Sequence, residues 1–312
     1  MQPAVQIAEP AAAAARATRR VAVGERVAPG TGRAIVLLLA PFTVLFLVFL
    51  VYPTLNVVWL SFTNADIAGV GRWVGLANWG RLLHDQAFWA SLGHTLYFVA
   101  LTVVPLTALG LGFALLVVRL GGWLKSLAQI LLFLPYILPV SVVYRLWQWM
   151  LDTNYGIVNY ALHLQVDWFH DPAWAMPAVA AATIWWCVGF NILLFVAGLE
   201  AIPREYYEAA RLDGAEGGWR AFRHITWPLL KPVTSVVLVL QLILQLQILT
   251  QPYLMTQGGP FNRTRVALQY MYVQAFQQNH GGYGATIAVA VFVVILACSA
   301  LQLRLVKLGG EP

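Results

Sequence analysis

Long apolar runs limit this chain's options before any motif does. They lie at roughly 34–60, 94–118, 127–151, 175–199, 232–255 and 285–306. A bilayer's hydrocarbon core is about 30 Å thick, and a helix of about 20 apolar residues crosses it. In lipid every backbone N–H and C=O must be bonded within the protein, so a spanning segment of this kind is a helix. Six such runs predict an all-α membrane protein with six transmembrane helices over 34–306. Proline and glycine inside several runs fit, because neighbouring helices satisfy the backbone groups they free. With 60% hydrophobic and 10% charged residues, a single soluble domain is excluded. Residues 1–33 are polar or small and carry Arg16, Arg19, Arg20, Arg26 and Arg33. They read as a mobile basic tail rather than a signal peptide, because the run that follows is too long for a signal core. Residues 307–312 read as a second, short tail. Cys187 and Cys298 lie inside runs without paired spacing, so neither a disulfide nor a metal site is expected.

Lys and Arg gather in cytoplasmic loops. Of the 19 Lys and Arg, fourteen fall on one side of this topology: five in the tail, Arg119 and Lys125, five in 201–231, and Arg304 and Lys307. The alternate loops hold Arg72, Arg81, Arg263 and Arg265, while 152–174 holds none and carries Asp152, Asp167 and Asp171. Both termini and the 201–231 loop are therefore assigned to the cytoplasm. The net charge of +6 follows from orientation and anionic lipid, and calls for no nucleic-acid partner. On the other side, VGLANWGRLLHDQAFWASL (Val74–Leu92) spaces its aromatics as a short helix lying at the outer interface, or docking on a partner protein.

The cytoplasmic loop is the densest charge in the chain: residues 200–231 hold five of the thirteen acids and five of the nineteen Lys and Arg. Pro203 suits the first turn of a helix. Arg204, Glu208 and Arg211 stand at spacings that pair on one helix face. Gly214 is a stop able to take positive φ, and a second short helix is expected at about 217–226, before the fifth run begins. The small side chains of Ala209 and Ala210 let another surface approach. A solvated connector is the plainer reading, but connectors between helices are usually shorter and less regular.

EAARLDGAEGGWRAFRHITWPLLKP resembles the EAA loop of membrane subunits of binding-protein-dependent ABC importers. Glu208, Ala209, Ala210, Gly214, Ile225 and Pro228 match its pattern; Trp227 stands where leucine is usual. The resemblance runs from about 36 to 305 and is to the carbohydrate-uptake branch, through APFTVLFLVFLVYPTLNVVWLSFTN, WVGLANWGRLL, LPYILPVSVVYRLWQWMLDTNYGIVN, GLEAIPREYYEAARLDGA and QPYLMTQGGPFNRT. It implies a multi-pass permease of a bacterial inner membrane. The 201–231 hairpin would be its coupling helix, with Glu208, Ala209, Ala210, Asp213 and Gly214 against an ATPase subunit. It also implies a second homologous permease, two ATP-binding subunits that hydrolyse the ATP, and an extracytoplasmic solute-binding protein. The implied cargo is a sugar, a polyol or a glycerol-phosphate compound. This chain has no G-x-x-x-x-G-K-[ST], H-E-x-x-H or G-x-S-x-G of its own, so no catalytic residue is assigned and it is not expected to be an enzyme. The other class considered is a self-sufficient secondary transporter or facilitator; the absence of Asp and Glu from the interiors of the runs counts against ion coupling.

Polar side chains inside spans are costly and mark pathways or helix contacts. The fifth run, VVLVLQLILQLQILTQPYLMT, puts Gln241 and Gln245 on one face, and Gln247 and Gln251 on another. Neutral amides donate and accept, which suits hydroxyl groups. In the fourth run Trp186 and Asn191 fall near mid-membrane. Gln245, Gln241, Asn191 and Trp186 are the candidate substrate-pathway residues, with interhelical bonding as the competing role. Pro252 is expected to disturb the outer end of the fifth helix, and Arg145 to snorkel to the interface.

Overall fold

The computed structural model describes residues 31–212 and 218–308. They are helical, with no strand among the described residues. The chain divides into two compact units, 1–55 and 56–312. The first contributes most of α1, whose apolar stretch Val36–Leu60 is 25 residues long. In the second, α2 (Ala77–His84) precedes the long α3 (Gln86–Val117). Then come α4 (Gly122–Ile137), α5 (Val140–Met150), the short α6 (Ile157–Leu162) and α7 (Ala175–Glu200). The hairpin opens with α8 (Arg204–Leu212). It leads into α9 (Gly218–Leu246), α10 (Thr250–Thr256), α11 (Ala267–Tyr272) and α12 (Gly281–Leu308).

Among the described residues five helices are long and apolar enough to span, and there are six if α4 and α5, bent by 94° at their junction, are counted together as one span. Three expected boundaries shift, each for a local reason. The second span starts at Gln86, not 94, because Asp85 caps it: its Oδ1 accepts the N–H of Ala87 at 2.9 Å and of Phe88 at 3.3 Å. The segment 74–92 is thus α2 plus the first turns of α3, not one interfacial helix. The third span is broken at Leu138 and Pro139. A residue before proline is driven out of helical geometry, and Leu138 is extended at ψ 139. The fifth span starts at Gly218 and ends at Leu246, so the second hairpin helix is its continuation. Pro228 is accommodated because a π turn, Phe222–Thr226, immediately precedes this α segment, which places the proline in its first turn. A π turn at Leu47–Val51 precedes Pro53 in the same way. At the far end, Pro252 falls in the first turn of α10, and the chain breaks between Leu246 and Thr250.

α7 is the central helix, packed on α3, α4 and α9. Ile192, Phe195 and Val196 of α7 share one core with Ala114 and Val117 of α3 and with Leu230 and Val237 of α9. Small residues let these backbones meet. A Cβ on Gly189 would lie 2.1 Å from the Leu132 carbonyl oxygen of α4, and one on Gly110 would lie 2.8 Å from Asn191 Cβ.

Lys125 and Glu200 form an ion pair, so the start of α4 and the end of α7 share one face of the unit. At the other face Gly282 N–H donates to the Ala65 carbonyl at 2.8 Å, and the Thr286 hydroxyl to that of Ser61 at 3.0 Å.

Candidate functional site

Three polar constellations, and an aromatic group beside the second of them, stand out from the apolar bulk. The first is the hairpin. Ile202, just before α8, is buried, and Tyr207 packs against the α3–α7–α9 core. The Tyr207 and Thr226 hydroxyls are 3.0 Å apart, which fastens α8 to the first turns of α9. With Tyr207 inward, Tyr206, Glu208 and Ala209 are left exposed, and Ala210 half-buried. Three members of the predicted coupling set thus lie on one short helix. Asp213 and Gly214 lie outside the described residues.

The second is the set of intramembrane amides. Gln245 Nε2 donates to Gln241 Oε1 at 3.1 Å, Gln241 Nε2 to Asn191 Oδ1 at 2.6 Å, and Asn191 Nδ2 to the Leu106 carbonyl at 3.2 Å. All three side chains are buried. The chain of bonds runs from α9 through α7 to α3, joining α9 to α7 by two side chains 50 residues apart and α7 to a backbone carbonyl of α3 85 residues away. The carbonyl oxygens of Asn191 and Gln241 are thus both taken up within the chain of bonds. Gln247 is exposed and Gln251 half-buried, on the far side of the α9 break.

The fourth pathway candidate, Trp186, is not part of that chain. Its Nε1–H donates to the Leu138 carbonyl at 3.3 Å, an oxygen that lost its helical partner when α4 stopped before Pro139. Around it gathers an aromatic group. Tyr136 lies 6.0 Å from Trp186 and stacks on Phe190 at 5.2 Å, and Phe133 lies 5.5 Å from Tyr136. All four rings are half-buried. Tyr144 of α5 meets Trp186 edge-on at 6.5 Å. Sequence reasoning missed Phe133, Tyr136 and Phe190. The signal available was LPYILP, two prolines four apart inside a span, which foretells a break and therefore a site where side chains of two half-helices converge. Beyond the break, Gln148 of α5 donates to the carbonyls of Leu254 and Met255 at 3.2 and 3.1 Å, tying the two broken regions together. Arg145 is exposed, with Nη1 3.3 Å from Gln148 Oε1.

The third constellation lies at the opposite face from the hairpin. Asp85 Oδ2 accepts the hydroxyls of Tyr270, at 2.6 Å, and of Tyr283. Arg81 lies 3.8 Å over the Tyr283 ring, and Arg265 lies 5.0 Å over that of Tyr270. Burial works to raise the Asp85 pKa. The bonds from Tyr270, Tyr283 and the N–H groups of Phe88 and Ala87 outweigh it, and the carboxyl sits below its ordinary value. Burial, and then the hydrogen bond to Asp85, hold the Tyr270 hydroxyl up at about 12.

Residues 106–307 match the family model described as binding-protein-dependent transport system inner membrane component. The chain is 34% identical over 278 residues to the sulfoquinovosyl glycerol transport system permease protein of Agrobacterium fabrum, covering 87% of this chain and 90% of that one. It is 33% identical over 275 residues to the trehalose/maltose transport system permease protein of Thermococcus litoralis, covering 86% and 92%. Its fold matches a chain in the crystal structure of a bacterial alginate ABC transporter in complex with an alginate pentasaccharide-bound periplasmic protein. There the TM-score is 0.79 at 21% identity, over 93% of this chain and 98% of that one.

Proposed function

The chain belongs to the inner membrane components of binding-protein-dependent transport systems, and from that membership we propose that it carries a neutral, hydroxyl-rich sugar, such as a disaccharide or short oligosaccharide. As a permease of an ABC importer it moves solute without hydrolysing ATP itself. One observation carries the sugar reading: Phe133, Tyr136, Trp186 and Phe190 form a half-exposed aromatic group at a helix break near mid-membrane, with no ionised side chain among them. Aromatic faces support the C–H faces of a sugar ring. Broken helices supply backbone groups for polar ligands at membrane depth. Tyr144, buried edge-on behind Trp186, backs this aromatic group. A relative named for trehalose and maltose transport supports a neutral disaccharide, and one named for sulfoquinovosyl glycerol, which bears a sulfonate, supports only the broader class of sugar-like solutes.

The amides have a place in this reading. Asn191 and Gln241 hold α9 to α7 and α3 as the wall of the pathway, and Gln245 is the member of the chain offered to solute when α9 moves. On the other face, Glu208, Ala209, Ala210, Asp213 and Gly214 dock one ATP-binding subunit. A second, homologous permease completes the channel, and a second ATP-binding subunit serves it. The charge bias assigns both termini and the hairpin to the cytoplasm and the Asp85 face to the outside, where the binding protein delivers.

The test is solute-stimulated ATPase activity and uptake by the assembled transporter in vesicles. Trp186→Leu and Tyr136→Leu should lower uptake several-fold while the affinity of the binding protein for its sugar stays put. Uptake that is unchanged at equal assembly removes the aromatic group from the pathway. A neutral-sugar panel that elicits no ATPase response, with a response to a charged solute, removes the substrate class.

A further inference from the structure

One side chain ties the two broken spans together. α4 and α5 part at Leu138 and Pro139, and α9 and α10 part between Leu246 and Thr250. α10 has seven residues, too few for a helix to persist unaided. The last four carbonyls of a helix have no partner within it. One more turn of α10 would bring the N–H groups of Gly258 and Gly259 to the carbonyls of Leu254 and Met255. The chain turns away instead, with Gln257 at φ 53 and Gly258 at φ 87. Gly258 N–H donates to the Thr256 hydroxyl at 3.3 Å, and Gly259 N–H to the Thr256 carbonyl at 2.8 Å. The two carbonyls so released are those that Gln148 of α5 reaches, at 3.2 and 3.1 Å.

The Gln148 amide has one satisfactory orientation. Its NH2 group carries two donors, which both carbonyls accept, and its Oε1 accepts from Arg145 Nη1 at 3.3 Å. Turned over, it would set an oxygen against two carbonyl oxygens and an NH2 group against a guanidinium. Tyr144 stands four residues earlier on the same face of α5 and meets Trp186 edge-on at 6.5 Å. Ile248 and Met255 share one core with Val143 and Tyr144. The inner half-helix α4 is held elsewhere, by the close approach of Leu132 to Gly189 of α7 and by the Lys125–Glu200 pair. The outer halves of the third and fifth spans are thus bonded to each other across their two breaks.

We propose that Gln148 is a positioning residue for transport: it makes α5 and α10 one body, so that movement at the α9–α10 break carries Tyr144 relative to Trp186. The two breaks then open the aromatic group in one step rather than two. The consequence for transport rests on the reading of that group as the solute site. The joint movement of α5 and α10 does not, and it holds whichever solute is carried.

The experiment reads distances and needs no solute, so its failure is separable from failure of the sugar reading. The intact transporter, in a background without Cys187 and Cys298, is placed in nanodiscs with spin labels at exposed apolar positions. One pair joins Val142 of α5 to Leu254 of α10, and the other joins Ile130 of α4 to Leu254. Distances are compared without nucleotide and with ATP trapped by vanadate. The α5–α10 distance should stay constant while the α4–α10 distance shifts. Gln148→Met keeps an unbranched side chain but offers no donor, and should lose that constancy: its α5–α10 distance should shift and broaden on trapping. An α5–α10 shift as large as the α4–α10 shift, with Gln148 in place, overturns the proposal, and that comparison stands even where Gln148→Met folds poorly. Constancy that survives in Gln148→Met overturns it too. So does the absence of a shift in either pair, because the outer halves then do not move apart from the rest.

Discussion

The two ends of the membrane unit use their charged residues in opposite ways. At the Asp85 end they are spent inside the chain. One carboxylate takes two tyrosine hydroxyls and two backbone N–H groups, and two arginines lie over those same tyrosine rings. At the hairpin end, α8 buries part of Tyr207 and leaves Tyr206, Glu208 and Ala209 exposed. The first arrangement fixes helices that are far apart in sequence. The second leaves a surface for another molecule. A charged residue in a greasy chain therefore says little until its partners are known.

That contrast predicts where substitutions harm the fold and where they harm the work. The largest stability loss is expected for Gly282→Val at the Asp85 end. A Cβ there would lie 1.9 Å from the Thr63 carbonyl oxygen, a backbone atom that cannot step aside. Detergent-solubilised transporter should show little folded variant in size-exclusion profiles; a normal yield would mean that this end is looser than its bonding suggests.

Asp85→Asn comes next. Its two oxygens both accept, so an amide must turn an NH2 group toward donors. Losing charge-assisted bonds of this kind costs about 1.5–3 kcal/mol, read as a lower melting temperature. The pH dependence has a defined sign. The folded pKa of Asp85 is depressed, so its stabilisation is fully present above the unfolded value of about 3.9. It is lost as pH falls below that value and through the folded pKa. Wild type should lose this increment only below about pH 4, and Asp85→Asn should lack it; identical acid-side profiles would place the stabilisation elsewhere.

Gln241→Leu should have a smaller effect. It breaks the amide chain between α9 and α7 but keeps bulk, and interhelical hydrogen bonds within membranes average about 0.6 kcal/mol. A melting shift as large as that of Asp85→Asn would reverse the ranking of the two networks. Smallest of all on stability is Glu208→Arg, within about 0.5 kcal/mol as for exposed surface substitutions. Its ATPase coupling and uptake should nevertheless fall sharply. Melting and uptake that both stay at wild-type levels would make the hairpin a plain connector.

Much of this was legible in sequence because it is local. Six apolar runs and their caps are set by neighbours a few residues away, and the hairpin carries a recognisable motif. The boundary at Gln86 was missed because Gln86–Ser91 is only partly apolar, whereas the cap that starts the helix depends on a single aspartate. The Asp85 cluster was not legible at all: its tyrosines lie 185 and 198 residues away, and nothing around Asp85 foretells them. Gln241 and Gln245 were identified from their spacing. Their partner Asn191 was identified separately, and only folding revealed that the three bond to one another. Tyr136 and Phe190 look like ordinary apolar positions until the chain breaks at Pro139 and turns α4 toward α7.

The break at Leu138 and Pro139 also has an electrical consequence. The end of α4 presents carbonyls, and the start of α5 presents N–H groups. Each carries about half an elementary charge, of opposite sign. Side by side within the membrane they form a dipole whose net charge is zero. Such a field turns a dipolar molecule without drawing a monovalent ion to it. A neutral solute passing it does no work against the transmembrane voltage, because that work scales with the charge moved. On the proposed reading of an uncharged cargo, uptake should run equally well in polarised and depolarised vesicles.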